Sequence, residues 1–240
     1  MVYIVGHRGA PLEAPENTIK SFKKAIEIGV DYFECDIHLS KDGEIVVVHD
    51  SALEKVTNGK GHVNDFTLNE LKELVVLGKS QIPTLKEVLE LDFPMILDLK
   101  SKTFNRDVSL DETYPDLVKK TIDLIESFKF KKDIIFAAFN WKYLEQLRDM
   151  SKFKKMLNSK HFSNLEKGKG LNLFSVSVIP SDISSENIKL IRDKNLKICV
   201  QAIDDEEVIK NMMSLDIDYL CTGRPDLAIK IRNEIKSIKR

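Results

Sequence analysis

The chain has 240 residues, 42% of them hydrophobic and 31% charged, with 37 basic residues against 38 acidic ones and a formal net charge of -1. That length and apolar content suffice to bury a substantial core. The scattered, balanced charge offers no field to draw nucleic acid, so nucleic acid is not an expected partner.

The opening MVYIVGHRGAPLEAPENT has no basic leader and breaks at Gly6 and His7, short of a signal core or a membrane span, so a cytoplasmic protein with no transmembrane segment is expected. Cys35, Cys199 and Cys221 are odd in number, far apart and flanked by apolar residues, which suits reduced packing thiols. Nothing in the sequence signals an oligomeric state.

Eight short apolar runs follow one another: VYIV (2–5), DYFECDI (31–37), MILDL (95–99), DIIFAAF (133–139), FKKML (153–157), LFSVSVI (173–179), KICVQAI (197–203) and DYLCT (218–222). Helical patterns separate most of them. Ile19, Phe22, Ala25 and Ile26 lie at helical spacing, with Asn17 or Thr18 as cap and Gly29 as stop. Further helices are predicted at 84–91, 113–128, 140–150, 184–194, 205–214 and 225–238. Eight strand–helix units at this length favour a closed α/β architecture, a (β/α)8 TIM barrel, over an open doubly wound sheet. With no linker composition or repeat, residues 1–240 are expected to form a single catalytic barrel domain. The stretch 51–82 lacks the alternation and reads as a small insertion beside the active face.

The second run continues into a return strand, YFECDIHLSKDGEIVVVHD (32–50), with Asp42-Gly43 as a hairpin turn. A two-residue turn there would place Asp36 directly opposite His49. Glu34, Asp36, His38, Val47 and His49 would then share one face, and Phe33, Cys35, Ile37, Val46 and Val48 the other. His7 and Arg8 follow the first strand, and Asp98 and Lys100 end the third, so three strands deliver ionisable groups to the C-terminal rim where barrel enzymes work. Clustered carboxylates repel one another and resist desolvation, a conflict that a bound cation resolves. All-oxygen donors point to one divalent cation, Mg²⁺ or Ca²⁺.

These residues carry a resemblance. His7-Arg8-Gly9, Pro15-Glu16-Asn17-Thr18, Glu34-Cys35-Asp36, Lys41-Asp42-Gly43 and His49-Asp50, in that order and spacing, resemble the glycerophosphodiester phosphodiesterase family, whose barrels are similar to phosphatidylinositol-specific phospholipase C. TNGKG (57–61), IPTLKEVL (82–89), the Phe139 region and TGRPD (222–226) extend the likeness over the chain. The resemblance implies hydrolysis of a small-molecule glycerophosphodiester substrate to glycerol 3-phosphate and an alcohol. It implies His7 and His49 as catalytic acid and base, Arg8 and Lys100 as phosphate ligands, and Glu34, Asp36 and Asp98 as metal ligands.

In two places the chain departs from the family pattern. Asp98 stands where the family usually has Glu, one methylene longer, which puts the third metal contact in question. No Trp occurs in KICVQAIDD, where the family often has one.

Around these stand supporting residues with competing structural readings. Asn17 is read first as a helix N-cap. Glu16 is either a helix-start charge or an outer support of the site, Asp50 orients the loop or a histidine, and Phe139 is core or rim. His38, His62 and His161 carry no motif and are expected on the surface, and Lys154-Lys155 reads as a solvated strand start. Alternative functions are lysophospholipid hydrolysis of the lysophospholipase D type, needing an apolar channel from residues such as Leu53, Val56, Phe66 and Leu77, and a non-catalytic phosphate-binding barrel.

Overall fold

Each of the eight apolar runs becomes a strand in the computed structural model, which describes residues 2–78, 80–103, 110–150, 152–159, 162–201 and 203–238. His161 lies outside the described residues. The strands are β1 (Tyr3–Gly6), β2 (Tyr32–Leu39), β4 (Met95–Leu99), β5 (Ile134–Ala138), β6 (Lys154–Asn158), β7 (Ser175–Val178), β8 (Lys197–Val200) and β9 (Tyr219–Thr222), with β3 (Ile45–Val47) as the return strand. Neighbours run β1-β9-β8-β7-β6-β5-β4-β2, and β1 pairs back onto β2, so eight parallel strands close a (β/α)8 barrel. β3 adds to β2 from outside the ring, antiparallel.

The helices are α1 (Ile19–Ile28), α2 (Leu68–Glu73), α3 (Leu85–Leu89), α4 (Leu117–Ser127), α5 (Trp141–Met150), α6 (Ser185–Asp193), α7 (Glu206–Ser214) and α8 (Pro225–Ile238). Between β6 and β7 the chain forms a 3-10 segment, Phe162–Gly168, in place of an α-helix. α1 shows how local chemistry sets the boundaries. Thr18, not Asn17, is the cap, its side chain accepting from the Ser21 amide, and Gly29 stops the helix at φ 96° with its N–H on the Ala25 and Ile26 carbonyls. Phe22 and Ala25 then face the sheet fully buried, and a residue the size of Phe22 contributes about 1.5–3 kcal/mol by leaving water.

Packing falls into three layers. One core lies between sheet and helices, where Phe22, Phe33, Leu97 and Phe136 meet. A second fills the barrel itself with Val5, Ile96, Ile135, Met156 and Tyr219. Tyr3, Tyr32 and Tyr219 close its N-terminal end, with ring centroids 5.3–6.0 Å apart. A third, smaller core holds the insertion, built from Val46, Val48, Leu53, Val63, Leu71 and Ile82. Among the described residues no helix is long and apolar enough to cross a membrane.

Two local expectations are corrected. Lys155 is buried: alternation puts it on the side of Leu157, where its aliphatic stem is covered, while Lys154 pairs with Asp133 at 2.6 Å. The hairpin turn is one residue longer than a two-residue Asp-Gly turn. Ser40 and Glu44 close it, Gly43 sits at φ +81°, and the pairs are Ile37 with Val47 and His38 with Val46. Val47 therefore joins the outer core, and Val46 and Val48 turn to the His38 side under the insertion.

Candidate active site

The parallel register does what the spacing promised on the barrel side. Asp36 of β2 lies beside Asp98 of β4, and Glu34 is two residues down the same inward face. One oxygen from each of the three carboxylates lies within 4.8 Å of the others, and all three are buried. With Asp at position 98 the cluster still closes. Burial raises the Glu34 pKa well above its ordinary value, reinforced by Asp36 and Asp98, and burial likewise raises Asp98. For Asp36 burial acts the same way, but Lys100 and Arg8 outweigh it and hold its pKa below the ordinary range.

The two cations are built into this cluster. The Lys100 ammonium donates to Asp98 at 2.6 Å and meets Asp36 at 2.9 Å. Arg8 Nη1 donates to both Glu16 oxygens at 3.0 and 3.1 Å, Arg8 Nε stands 3.4 Å from Asp36, and the Arg8 amide donates to Glu34 at 3.0 Å. Three carboxylates thus meet two cations, and hard oxygen donors short of positive charge fit a divalent ion.

Arg8 reaches this position through a strained turn. Its φ is +56°, a conformation that costs a non-glycine residue roughly 1–3 kcal/mol unless the surroundings fix it. Ser21 does the fixing, since its hydroxyl donates to the Arg8 carbonyl and accepts from the Ala10 amide. Gly9 follows at φ +92°, where an added Cβ would stand 2.4 Å from Ser21 Oγ and 2.7 Å from its carbonyl carbon. Gly9→Ala is accordingly expected to lower stability by about 2 kcal/mol or more. Thermal melting beside wild type checks this, and an unchanged midpoint would contradict the account of this turn.

Asn17 has a different role from a cap. At φ +55° it donates from Nδ2 to Asp36 at 2.7 Å and accepts the Asp36 amide on Oδ1 at 3.2 Å, locking that carboxylate in place. Glu16 orients Arg8. Asp50 stands 3.3 Å from His49 Nδ1 and accepts from Lys55 at 2.7 Å. Phe139 lines the cavity with its ring 5.9 Å from the Lys100 ammonium.

His49 reaches the cavity although the predicted pairing with Asp36 is wrong. The last ladder bond runs from the Val48 amide to the Asp36 carbonyl, β3 ends at Val47, and the chain then turns inward. His7 and His49 both line a cavity of about 500 Å³ with Arg8, Glu34, Asp36, Asp98 and Lys100. Burial, with Arg8 adding to it, lowers His7 to about 4, and burial also lowers His49, so both imidazoles are uncharged at neutral pH.

Sequence reasoning missed several residues here. His38 is buried rather than on the surface, with Nδ1 3.1 Å from the Tyr114 hydroxyl and Nε2 3.2 Å from the His49 carbonyl oxygen. Asn158 donates to Asp98 at 3.1 Å, and Gln201 lines the opposite wall. The same alternation that placed Asp98 could have found Asn158, two residues beyond Met156 on the inward face of β6. In TGRPD, the Gly223 amide and Thr222 hydroxyl both donate to Asp204. The apolar residues considered for a lipid channel do not line the cavity: Leu53 and Val56 are buried in the insertion, and Leu77 is exposed.

Comparison with known proteins agrees with this geometry. The model of the glycerophosphoryl diester phosphodiesterase family matches residues 7–227. A glycerophosphodiester phosphodiesterase of Caldanaerobacter subterraneus subsp. tengcongensis is 30% identical, covering 95% of this chain and 96% of the relative. One from Bacillus altitudinis is also 30% identical, over 98% and 100%. The crystal structure of a glycerophosphodiester phosphodiesterase from Thermotoga maritima superposes with a TM-score of 0.78 at 27% identity, over 97% and 99%. Carrying the barrel, the ordered motifs and a family match over most of its length, the chain belongs to the glycerophosphoryl diester phosphodiesterase family.

Proposed function

We propose that this protein is a glycerophosphodiester phosphodiesterase that hydrolyses small glycerophosphodiesters to glycerol 3-phosphate and an alcohol. The observation that carries this is the cavity itself, in which three buried carboxylates, two cations and two uncharged imidazoles converge in a chain of this family.

Glu34, Asp36 and Asp98 would hold one divalent cation, and their oxygen donors favour Mg²⁺ or Ca²⁺ over zinc. Bound there, such an ion supplies positive charge to the phosphate and to the attacking oxygen. Arg8 and Lys100 add two further positive charges, Arg8 as an oriented guanidinium that Glu16 holds by both oxygens. A new P–O bond forms as the P–O bond to the leaving alcohol breaks; where water attacks, glycerol 3-phosphate results at once, and where the substrate's glycerol hydroxyl attacks, a cyclic phosphate forms that water then opens, adding its oxygen to phosphorus as one ring P–O bond breaks. One imidazole removes the proton of the attacking hydroxyl. The other delivers a proton to the departing alkoxide, and each such transfer contributes roughly a hundredfold to ten-thousandfold.

His7 and His49 are uncharged without ligand, the form in which either can accept a proton. Entry of the anionic phosphate favours a proton on the neighbouring imidazole, which readies the acid. The three buried free thiols fit a reducing, cytoplasmic setting.

A lysophospholipid would need an apolar wall for its acyl chain, and of the insertion's apolar side chains Leu53 and Val56 pack into its own core while the exposed Leu77 does not line the cavity. The test is turnover of glycerophosphocholine beside lysophosphatidylcholine. Glycerol 3-phosphate from the first, with little turnover of the second, is expected. The reverse preference would move the substrate assignment to lysolipids.

A further inference from the structure

His38 is the one fully buried histidine of the cavity wall, and the proposed chemistry gives it no part. Its ring has two polar contacts, one on each nitrogen. The His49 carbonyl 3.2 Å from Nε2 can only accept, so Nε2 carries the hydrogen. The Tyr114 hydroxyl stands 3.1 Å from Nδ1, the second polar partner of the ring. The Tyr114 ring stands edge-on to the imidazole at 5.8 Å, which leaves the ring little room to rotate.

The chain of contacts continues. The Tyr114 amide donates to the Tyr143 hydroxyl at 2.9 Å, and that hydroxyl donates to the Lys100 carbonyl at 2.9 Å. Tyr143 is itself fully buried in α5. One run of four hydrogen bonds therefore joins the backbone of His49 to the backbone of Lys100. It passes from the end of the hairpin through β2, the loop after β4 and α5.

The His49 end is the one that needs holding: it lies beyond the last residue of β3, where no ladder fixes it, whereas the Lys100 amide already donates to the Ile37 carbonyl at 3.1 Å. We infer that His38 and Tyr114 are positioning residues, which hold the backbone of His49 in register with the carboxylate cluster. This rests on the reading of His49 as a catalytic imidazole. Neither His38 nor Tyr114 touches the reacting atoms in this scheme. Their effect is on geometry, and a misplacement near 1 Å costs roughly a hundredfold in rate.

The experiment compares kcat and KM for glycerophosphocholine in His38→Ala, His38→Gln, Tyr114→Phe, His49→Ala and the His38→Ala/His49→Ala double variant, with circular dichroism to confirm folding. His38→Ala is expected to lower kcat roughly a hundredfold with KM changed by less than about threefold. Tyr114→Phe, which removes one hydroxyl and keeps the ring, is expected to lower kcat roughly tenfold. His38→Gln retains a donor for the His49 carbonyl and recovers most of the loss. Because His38 acts through His49, the double variant should be no slower than His49→Ala alone.

Unchanged kcat in Tyr114→Phe together with a folded, fully active His38→Ala would overturn the inference while an impaired His49→Ala left the catalytic reading standing. Additive losses in the double variant would also overturn it. Should His38→Ala not fold, an unchanged kcat in Tyr114→Phe alone overturns it. A fully active His49→Ala would remove the catalytic reading and the inference with it.

Discussion

Replacing either His7 or His49 by alanine is expected to lower kcat by roughly a hundredfold or more while leaving the fold intact. Both side chains face the cavity rather than a core, so little packing is lost on truncation. Burial lowers the pKa of both imidazoles, and the polar contact His49 gives up on truncation is the one with Asp50, 3.3 Å from Nδ1 and also held by Lys55. On the proposed reading, what is lost is proton transfer to and from oxygens at phosphorus. Steady-state kinetics on glycerophosphocholine, with circular dichroism as the folding control, measures the effect. A fully active, folded variant at either position would end the assignment of that residue.

The second large effect falls on the carboxylate at the hub. Asp36 accepts Asn17 at 2.7 Å, meets Lys100 at 2.9 Å and lies 3.4 Å from Arg8, all inside the barrel mouth. Asp36→Asn keeps the shape and removes the charge. Lys100 and Arg8 then lose a shared counter-ion in a buried place, which is expected to cost about 3 kcal/mol. Divalent-cation affinity is expected to fall roughly a hundredfold or more, since one of three charged donors is gone. Calorimetric titration reads the affinity directly. Denaturation gives an independent readout, because a cation held at 100 times its Kd stabilises the folded state by about 2.7 kcal/mol. Wild type should show that gain and Asp36→Asn should not. A variant that bound Mg²⁺ or Ca²⁺ as tightly as wild type would remove Asp36 from the ligand set.

The barrel was legible because it rests on signals that local sequence carries well. Eight apolar runs with amphipathic stretches between them leave few alternatives for a chain this long, and period-two alternation along β2 and β4 put Glu34, Asp36 and Asp98 on one inward face. The hairpin was less legible. Asp-Gly is the usual mark of a two-residue turn, but here Ser40 accepts the Gly43 amide and Gly43 takes the left-handed position of a three-residue loop, which shifts the pairing by one. His49 still arrives at the cavity because the strand stops short of it, a cause that alternation cannot express.

The remaining misses share one origin: contacts between residues far apart in the chain. Asn17 looks like a cap until Asp36, nineteen residues on, is seen to hold both ends of its amide. His38 looks like a surface histidine until Tyr114, seventy-six residues away, covers it. Lys155 looks solvated until the layer outside β6 closes over its stem. Patterns within one segment say which face a residue takes, but not what waits there.

The measurement that bears most directly on the account is release of glycerol 3-phosphate from glycerophosphocholine, followed with a coupled dehydrogenase, in chelator, Mg²⁺ and Ca²⁺. Turnover that chelator abolishes, that one of the two ions restores and that His49→Ala loses is the predicted result. No release of glycerol 3-phosphate under any of these conditions by folded, cation-loaded protein would contradict it.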